Sequence, residues 1–95
     1  MITVTEALQF WSNGEGGSHF MSLAEADSIE IRAHAFMYPR GFRSVRVECT
    51  IADTIWRTSV FPQKGGGYFL PVKIDVCRRT GIAAGDEVTV RLELL

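Results

Sequence analysis

Apolar and polar residues alternate with period two along much of this chain, the pattern of strands with one face buried and the other wet. Over residues 2–11, Ile2, Val4, Leu8 and Phe10 point one way, and Thr3, Thr5, Ala7 and Gln9 the other. Glu6 interrupts the apolar face and predicts a bulge or an open end. Residues 13–18 (N-G-E-G-G-S) read as a loop of residues that tolerate positive φ. A second short strand, antiparallel to the first, follows over residues 19–23. The clearest alternation spans 43–52, with Val45, Val47, Cys49 and Ile51 inward and Arg46, Glu48 and Thr50 outward. A two-residue turn at Asp53-Thr54 pairs Ile51 with Trp56, Cys49 with Thr58 and Val47 with Val60, all on one face. The other face then sets Thr50 opposite Arg57 and Glu48 opposite Ser59, with Arg46, Glu48 and Arg57 within charge-pairing reach. Pro62 ends this fourth strand. Residues 63–67 (Q-K-G-G-G) form a mobile connection to a fifth strand over 68–72, and a sixth over 87–94 carries Val88, Val90, Leu92 and Leu94 inward.

Helical spacing shows in two places. Residues 24–36 are rich in helix formers, and Ile29, Arg32, Ala33 and Phe36 fall at i, i+3, i+4 and i+7, a stripe broken by one arginine. Ser28 caps a helix that starts at Ile29, or the helix begins nearer Ala24. Residues 37–42 contain Pro39 and Gly41 and read as a loop. A second, compact helix is predicted over 73–80. Gly81 closes it in the left-handed conformation, which glycine adopts without a Cβ penalty. Gly85-Asp86 turns the chain into the last strand. Six strands and one or two short helices predict a mainly β barrel, whose closure removes exposed edges.

At 95 residues the chain is one domain, 1–95. Its formal charge of −1 lacks the positive excess from which nucleic-acid domains draw most of their affinity. No apolar run approaches the ~20 residues of a membrane span. The first residues, M-I-T-V-T-E, show neither the basic nor the apolar region of a signal peptide, which leads to an expectation of a cytoplasmic protein. Thiols there stay reduced, so Cys49 and Cys77 are read as free, Cys49 in the core.

The segment R-V-E-C-T-I-A-D-T-I-W-R-T-S-V-F-P-Q-K-G-G-G-Y-F-L-P-V-K, with the later G-I-A-A-G-D-E-V-T-V-R-L-E, resembles an uncharacterised prokaryotic domain family, number nineteen-oh-five. That family is often fused to a YdeI/OmpD-associated bacteriocin-protection domain. The resemblance covers nearly the whole chain and is most specific over residues 45–93. It implies a double-split β-barrel, related to the AbrB/MazE swapped-hairpin regulators through the strand, helical cap and G-D strand of residues 70–93. The chain departs from the family pattern at Asp53-Thr54, where asparagine-glycine is common, and at Ala24, where a proline tends to follow the second strand. Residues 33–41 resemble an insertion. The fold class expected is therefore a small closed or double-split β-barrel of about six strands with one or two short capping helices. The resemblance implies no activity.

Candidate chemistry is sparse. His19 and His34 are the only histidines and have no H-x-x-x-H partner or clustered carboxylates, so no metal site is expected. Lys64-Gly65-Gly66-Gly67 places its lysine before the glycines and a strand after them, unlike a phosphate-binding loop. The serines lack a nucleophile motif. Cys77 beside Arg78 and Arg79 is the one candidate for a lowered thiol pKa. Most aromatics, Phe10, Trp11, Phe20, Phe36, Trp56 and Phe69 among them, are assigned to the core. No cofactor, catalytic residue or metal ligand is assigned. The functional expectation is a non-enzymatic binding module whose barrel mouth, lipped by Arg57, Ser59, Lys64, Tyr68 and Lys73, takes an anionic small molecule or peptide. The alternative is an AbrB-like dimeric regulator that binds DNA through a basic sheet face. Either a monomer or a homodimer fits.

Overall fold

A computed structural model describes residues 1–39 and 41–95. Arg40, which the sequence places beside the loop before the third strand, lies outside the described residues. The chain runs β1 (Ile2–Ser12), β2 (Gly17–Leu23), α1 (Glu25–Met37), a single 3-10 turn (Gly41–Arg43), β3 (Val45–Ile51), β4 (Thr54–Pro62), β5 (Tyr68–Val72), α2 (Ile74–Thr80) and β6 (Glu87–Leu94). The strands form a closed barrel in the order β1-β2-β5-β4-β3-β6, and every neighbouring pair is antiparallel.

Alternation decides what the barrel contains. Val45, Val47, Cys49 and Ile51 of β3 meet Val88, Val90 and Leu92 of β6 and Met21, Leu23, Leu70 and Val72 from the opposite wall. Val47, Cys49, Met21, Leu70, Val90 and Leu92 are fully buried. β1 serves both halves of the ring. Ile2 through Ala7 pair with β6, and Leu8 through Ser12 pair with β2. The change of partner falls just past Glu6, whose column position is inward yet half-buried. Asp86 and Gly85 exchange backbone hydrogen bonds with Leu8 at 2.8 Å on either side of that change.

Ring closure is thinnest between β4 and β5, where only Phe61 with Phe69 and Pro62 with Tyr68 are in register. α2 packs against β4 there and lays Val76 and Cys77 into the core. Gly81 ends α2 with φ 74°, and its N–H bonds the Cys77 carbonyl at 2.9 Å. This seven-residue helix thus packs on β4, the strand at the thin join, as the capping helix that the sequence predicts.

Three local expectations are corrected or decided by the structure. The β3–β4 turn is at Ala52-Asp53, not Asp53-Thr54, so Ile51 faces Thr54, Cys49 faces Trp56, Val47 faces Thr58 and Val45 faces Val60. The shift is by an even number of positions along β4, which preserves every residue's face, so alternation could not detect it. It costs a left-handed alanine, Ala52 at φ 50°. Second, of the two starts open to α1 the structure takes the one near Ala24: the helix begins at Glu25, and Ser28, buried within it rather than capping it, donates to the Ala24 carbonyl at 2.9 Å. Third, α1 buries Ser28 and Ile31, with Ala35 packed beside them, while Ile29 and Phe36 of the expected stripe face solvent. The helix carries two apolar faces, and the one that meets the barrel is selected by the strands at its ends.

Candidate functional site

The outer face of the β1-β2-β5-β4 wall carries the largest aromatic cluster. Alternation puts Met21, Leu23, Tyr68, Leu70 and Val72 inside, which obliges Phe20, Phe69 and Pro71 to point out. Register then brings them together. Phe61 lies directly across from Phe69, and Phe20 across from Pro71. The Phe61 and Phe69 rings stack with centroids 5.5 Å apart, and Phe20 meets Phe69 edge-on at 6.4 Å. Such pairs contribute roughly 0.5–1.5 kcal/mol each beyond their burial. Trp11, paired to Ser18 across the β1–β2 ladder, closes one side and remains 58% exposed.

Trp11, Phe20 and Phe69, with Ser18, Gln63 and Pro71, line an open groove of about 510 Å³. That is the size of an ordinary ligand site, apolar with a few fixed polar groups. A smaller cleft of about 180 Å³ shares Ser18 and Pro71 with it and is bordered by His19 and Lys73. The two depressions adjoin at Ser18 and Pro71, with the rings lining one and Lys73 the other. None of the groove's lining residues is acidic.

Gln63 anchors the floor. Its Nε2 donates to Ser22 Oγ at 2.8 Å and to the Tyr68 carbonyl at 3.0 Å. Its own backbone N–H bonds the Gly67 carbonyl at 3.1 Å. The Q-K-G-G-G connection, expected to be mobile, is thus tied at both ends, and its three glycines all take positive φ. A Cβ on Gly67 would lie 2.8 Å from the Leu23 carbonyl oxygen, so only glycine lets this loop sit against the end of β2.

The five residues expected to form one lip are distributed over several surfaces. Tyr68 is a core residue, 3% exposed, because it shares the inward column with Leu70 and Val72. Its accessible edge borders a different cleft, of about 560 Å³, between α1 and the barrel beside Arg32 and Phe36. Arg57 is exposed on the outer face of β4 and pairs with Glu48 of β3, Nε to Oε2 at 3.0 Å. Ser59 is on the same outer face, opposite Arg46. Lys64 is in the turn after Gln63, and Lys73 borders the smaller cleft. Of the five, Lys73 alone lines an extension of the aromatic groove.

The groove residues Trp11, Phe20 and Phe69 lie outside the core in which the sequence reading puts them. The missed signal was the alternation of Y-F-L-P-V, which already separates Tyr68, Leu70 and Val72 from Phe69 and Pro71. Phe36, also assigned to the core, is 85% exposed, and Phe10 and Trp11 are at least half exposed.

Neither thiol is activated. Burial, aided by the Glu48 carboxylate, pushes Cys49 up to about 12. Burial also raises Cys77, against the lowering expected from its arginine neighbours. Arg78 and Arg79 face solvent, and Arg79 is drawn toward Asp75 at 3.8 Å. His34 donates from Nε2 to the Leu95 backbone oxygen, 3.0 Å away, and packs on Tyr38, so it is half-buried where a solvent-facing ring was expected. Among the described residues no cluster of His, Cys, Asp and Glu has the makings of a metal site. No helix among them is long and apolar enough to cross a membrane.

The structure defines a small closed antiparallel barrel with one short helix packed on β4 and an aromatic cluster on its outer wall. The chain belongs to the family described as Domain of unknown function (DUF1905), whose model matches residues 6–92. No curated protein matches the chain.

Proposed function

We propose that this domain is a non-enzymatic binding module, and that it takes an anionic small molecule or peptide in the aromatic groove of the β1-β2-β5-β4 wall. The observation that carries this reading is the groove's composition: three aromatic rings, two polar side chains and no acid, beside a cleft bordered by Lys73. Exposed apolar surface grouped in a concavity is a feature that soluble monomers retain for recognition. The free, buried state of both cysteines fits a reducing, cytoplasmic setting.

The alternative, a dimeric DNA-binding regulator, would use the outer face of β4-β3-β6. There Arg57, Glu48 and Glu93 form one cross-strand row, and Arg91 and Arg46 flank it. Acids interleave with the arginines, which weakens the field such a face offers phosphates.

A library of organic acids and acidic peptides, titrated into labelled protein and followed by amide and indole NMR shifts, tests the proposal. A ligand is expected to move the Trp11 indole and the Phe20, Phe69 and Lys73 amides together. At a hundredfold excess over Kd it should stabilise the fold by about 2.7 kcal/mol. A library that leaves the groove signals unmoved, or a labelled duplex that is retarded with steep salt dependence, counts against it.

A further inference from the structure

The groove reading above does not say what kind of anion fits, and Gln63 narrows it. A backbone carbonyl only accepts hydrogen bonds, so the side of the Gln63 amide that faces the Tyr68 carbonyl must be its NH2. The second hydrogen of that NH2 goes to Ser22 Oγ. The amide is therefore locked in one orientation with both donors spent. Its Oε1 has no hydrogen-bond partner among the described residues and is not one of their fully buried unpartnered polar atoms, of which Trp56 Nε1 is the one found. Gln63 lines the groove. The amide at the groove wall thus keeps one unused acceptor beside apolar rings.

An occupant made only of hydrocarbon would strip water from that acceptor and return nothing. An occupant that donates there keeps the bond and gains the stacking. The shelf made by Phe20 and Phe69, with Trp11 at its side, favours a flat ring, because π faces stack at little conformational cost. Lys73, in the adjoining cleft past Ser18 and Pro71, favours a negative group at one end. We propose that the groove selects a planar heteroaromatic acid: a ring bearing an N–H donor, laid on the phenylalanine shelf, hydrogen-bonded to Gln63 Oε1, with its anionic arm toward Lys73. An indole-type carboxylate and a purine nucleotide share this chemistry.

The test rests on the groove reading and separates its failure from this one. The intact chain is titrated with indole-3-acetate, its N-methyl analogue 1-methylindole-3-acetate, uncharged 3-methylindole, and adenosine monophosphate, with NMR shifts to locate each and Kd to rank them. Indole-3-acetate or the nucleotide is expected to move the Trp11 indole and the Gln63 side-chain amide, and whichever binds tighter identifies the source. N-methylation is expected to weaken binding about tenfold, the effect of one lost hydrogen bond at a desolvated acceptor. Lys73→Gln is expected to narrow the gap between indole-3-acetate and 3-methylindole about fivefold, the scale of a part-exposed charge contact. Equal affinity for the methylated and unmethylated acids overturns the inference while the groove reading stands. Silence from all four probes at the groove overturns it as well, and the wider library then decides the groove reading independently.

Discussion

Cys49 shows what one buried thiol does to the whole fold. It sits in the inward column of β3 with no exposed surface, and burial lifts its pKa from the ordinary 9.0 to about 12. An unfolded chain releases that proton above pH 9, whereas the folded chain retains it. The unfolded state then binds fewer protons than the folded one, so stability falls as pH rises between these two values. The slope is about 1.4 kcal/mol per pH unit for this residue. Urea unfolding at pH 8 and pH 10.5 should therefore show a smaller loss of stability in Cys49→Val than in the parent chain. A parallel loss in both proteins would show that Cys49 ionises as freely in the fold as out of it. Trp56, across from Cys49, is the reverse case, with its buried Nε1 lacking a hydrogen-bond partner. Residue type and alternation marked Cys49 as core; only the packed barrel shows that the donor of Trp56 is left unpaired.

Elements differ in how far their own sequence defines them. α2 is locally determined, since a short helical run, a left-handed glycine and a following turn suffice to start and end it. α1 is not, because Ile29 and Phe36 offer one apolar face and Ile31 and Ala35 another, and contact with β3 settles the choice. Two glycines test the distinction. Gly81 takes φ 74° with nothing within 4 Å of an added Cβ, so Gly81→Ala costs only backbone strain, about 1–2 kcal/mol. Gly67 takes φ 76° and also approaches Leu23. Gly67→Ala is expected to cost more, about 3 kcal/mol, because strain and overlap of 1–3 kcal/mol add. Chemical denaturation ranks the two; equal costs would mean that the Gln63 loop shifts to accept a methyl group. Gly81 is legible from its place after the helix, whereas the demand on Gly67 comes from a chain segment more than forty positions earlier.

Closure is a property of the whole molecule. β6 sits between β1 and β3, and through it the first and last strands seal the ring. A chain ending at residue 86 would leave both neighbours with unpaired edges and remove the buried Val88, Val90 and Leu92. Large core losses of 2–5 kcal/mol per residue exceed what a small domain holds in reserve. Such a truncation should lose dispersed amide NMR signals and cooperative melting; retention of both would mean that the remaining strands close without β6. The same closure creates the candidate site. β2, β5 and the end of β4 bring Phe20, Phe69 and Phe61 side by side, although each strand on its own shows only an outward aromatic residue.

Strand positions, inward faces, the Gly81 cap and the barrel class were set by period-two patterning and local backbone chemistry, because burying one face of a strand leaves its mark on every second residue. Hairpin register, the seated face of α1 and the aromatic groove were decided in three dimensions. An even slip preserves alternation, a helix with two apolar faces has no preference of its own, and a groove exists only where strands distant in the chain meet.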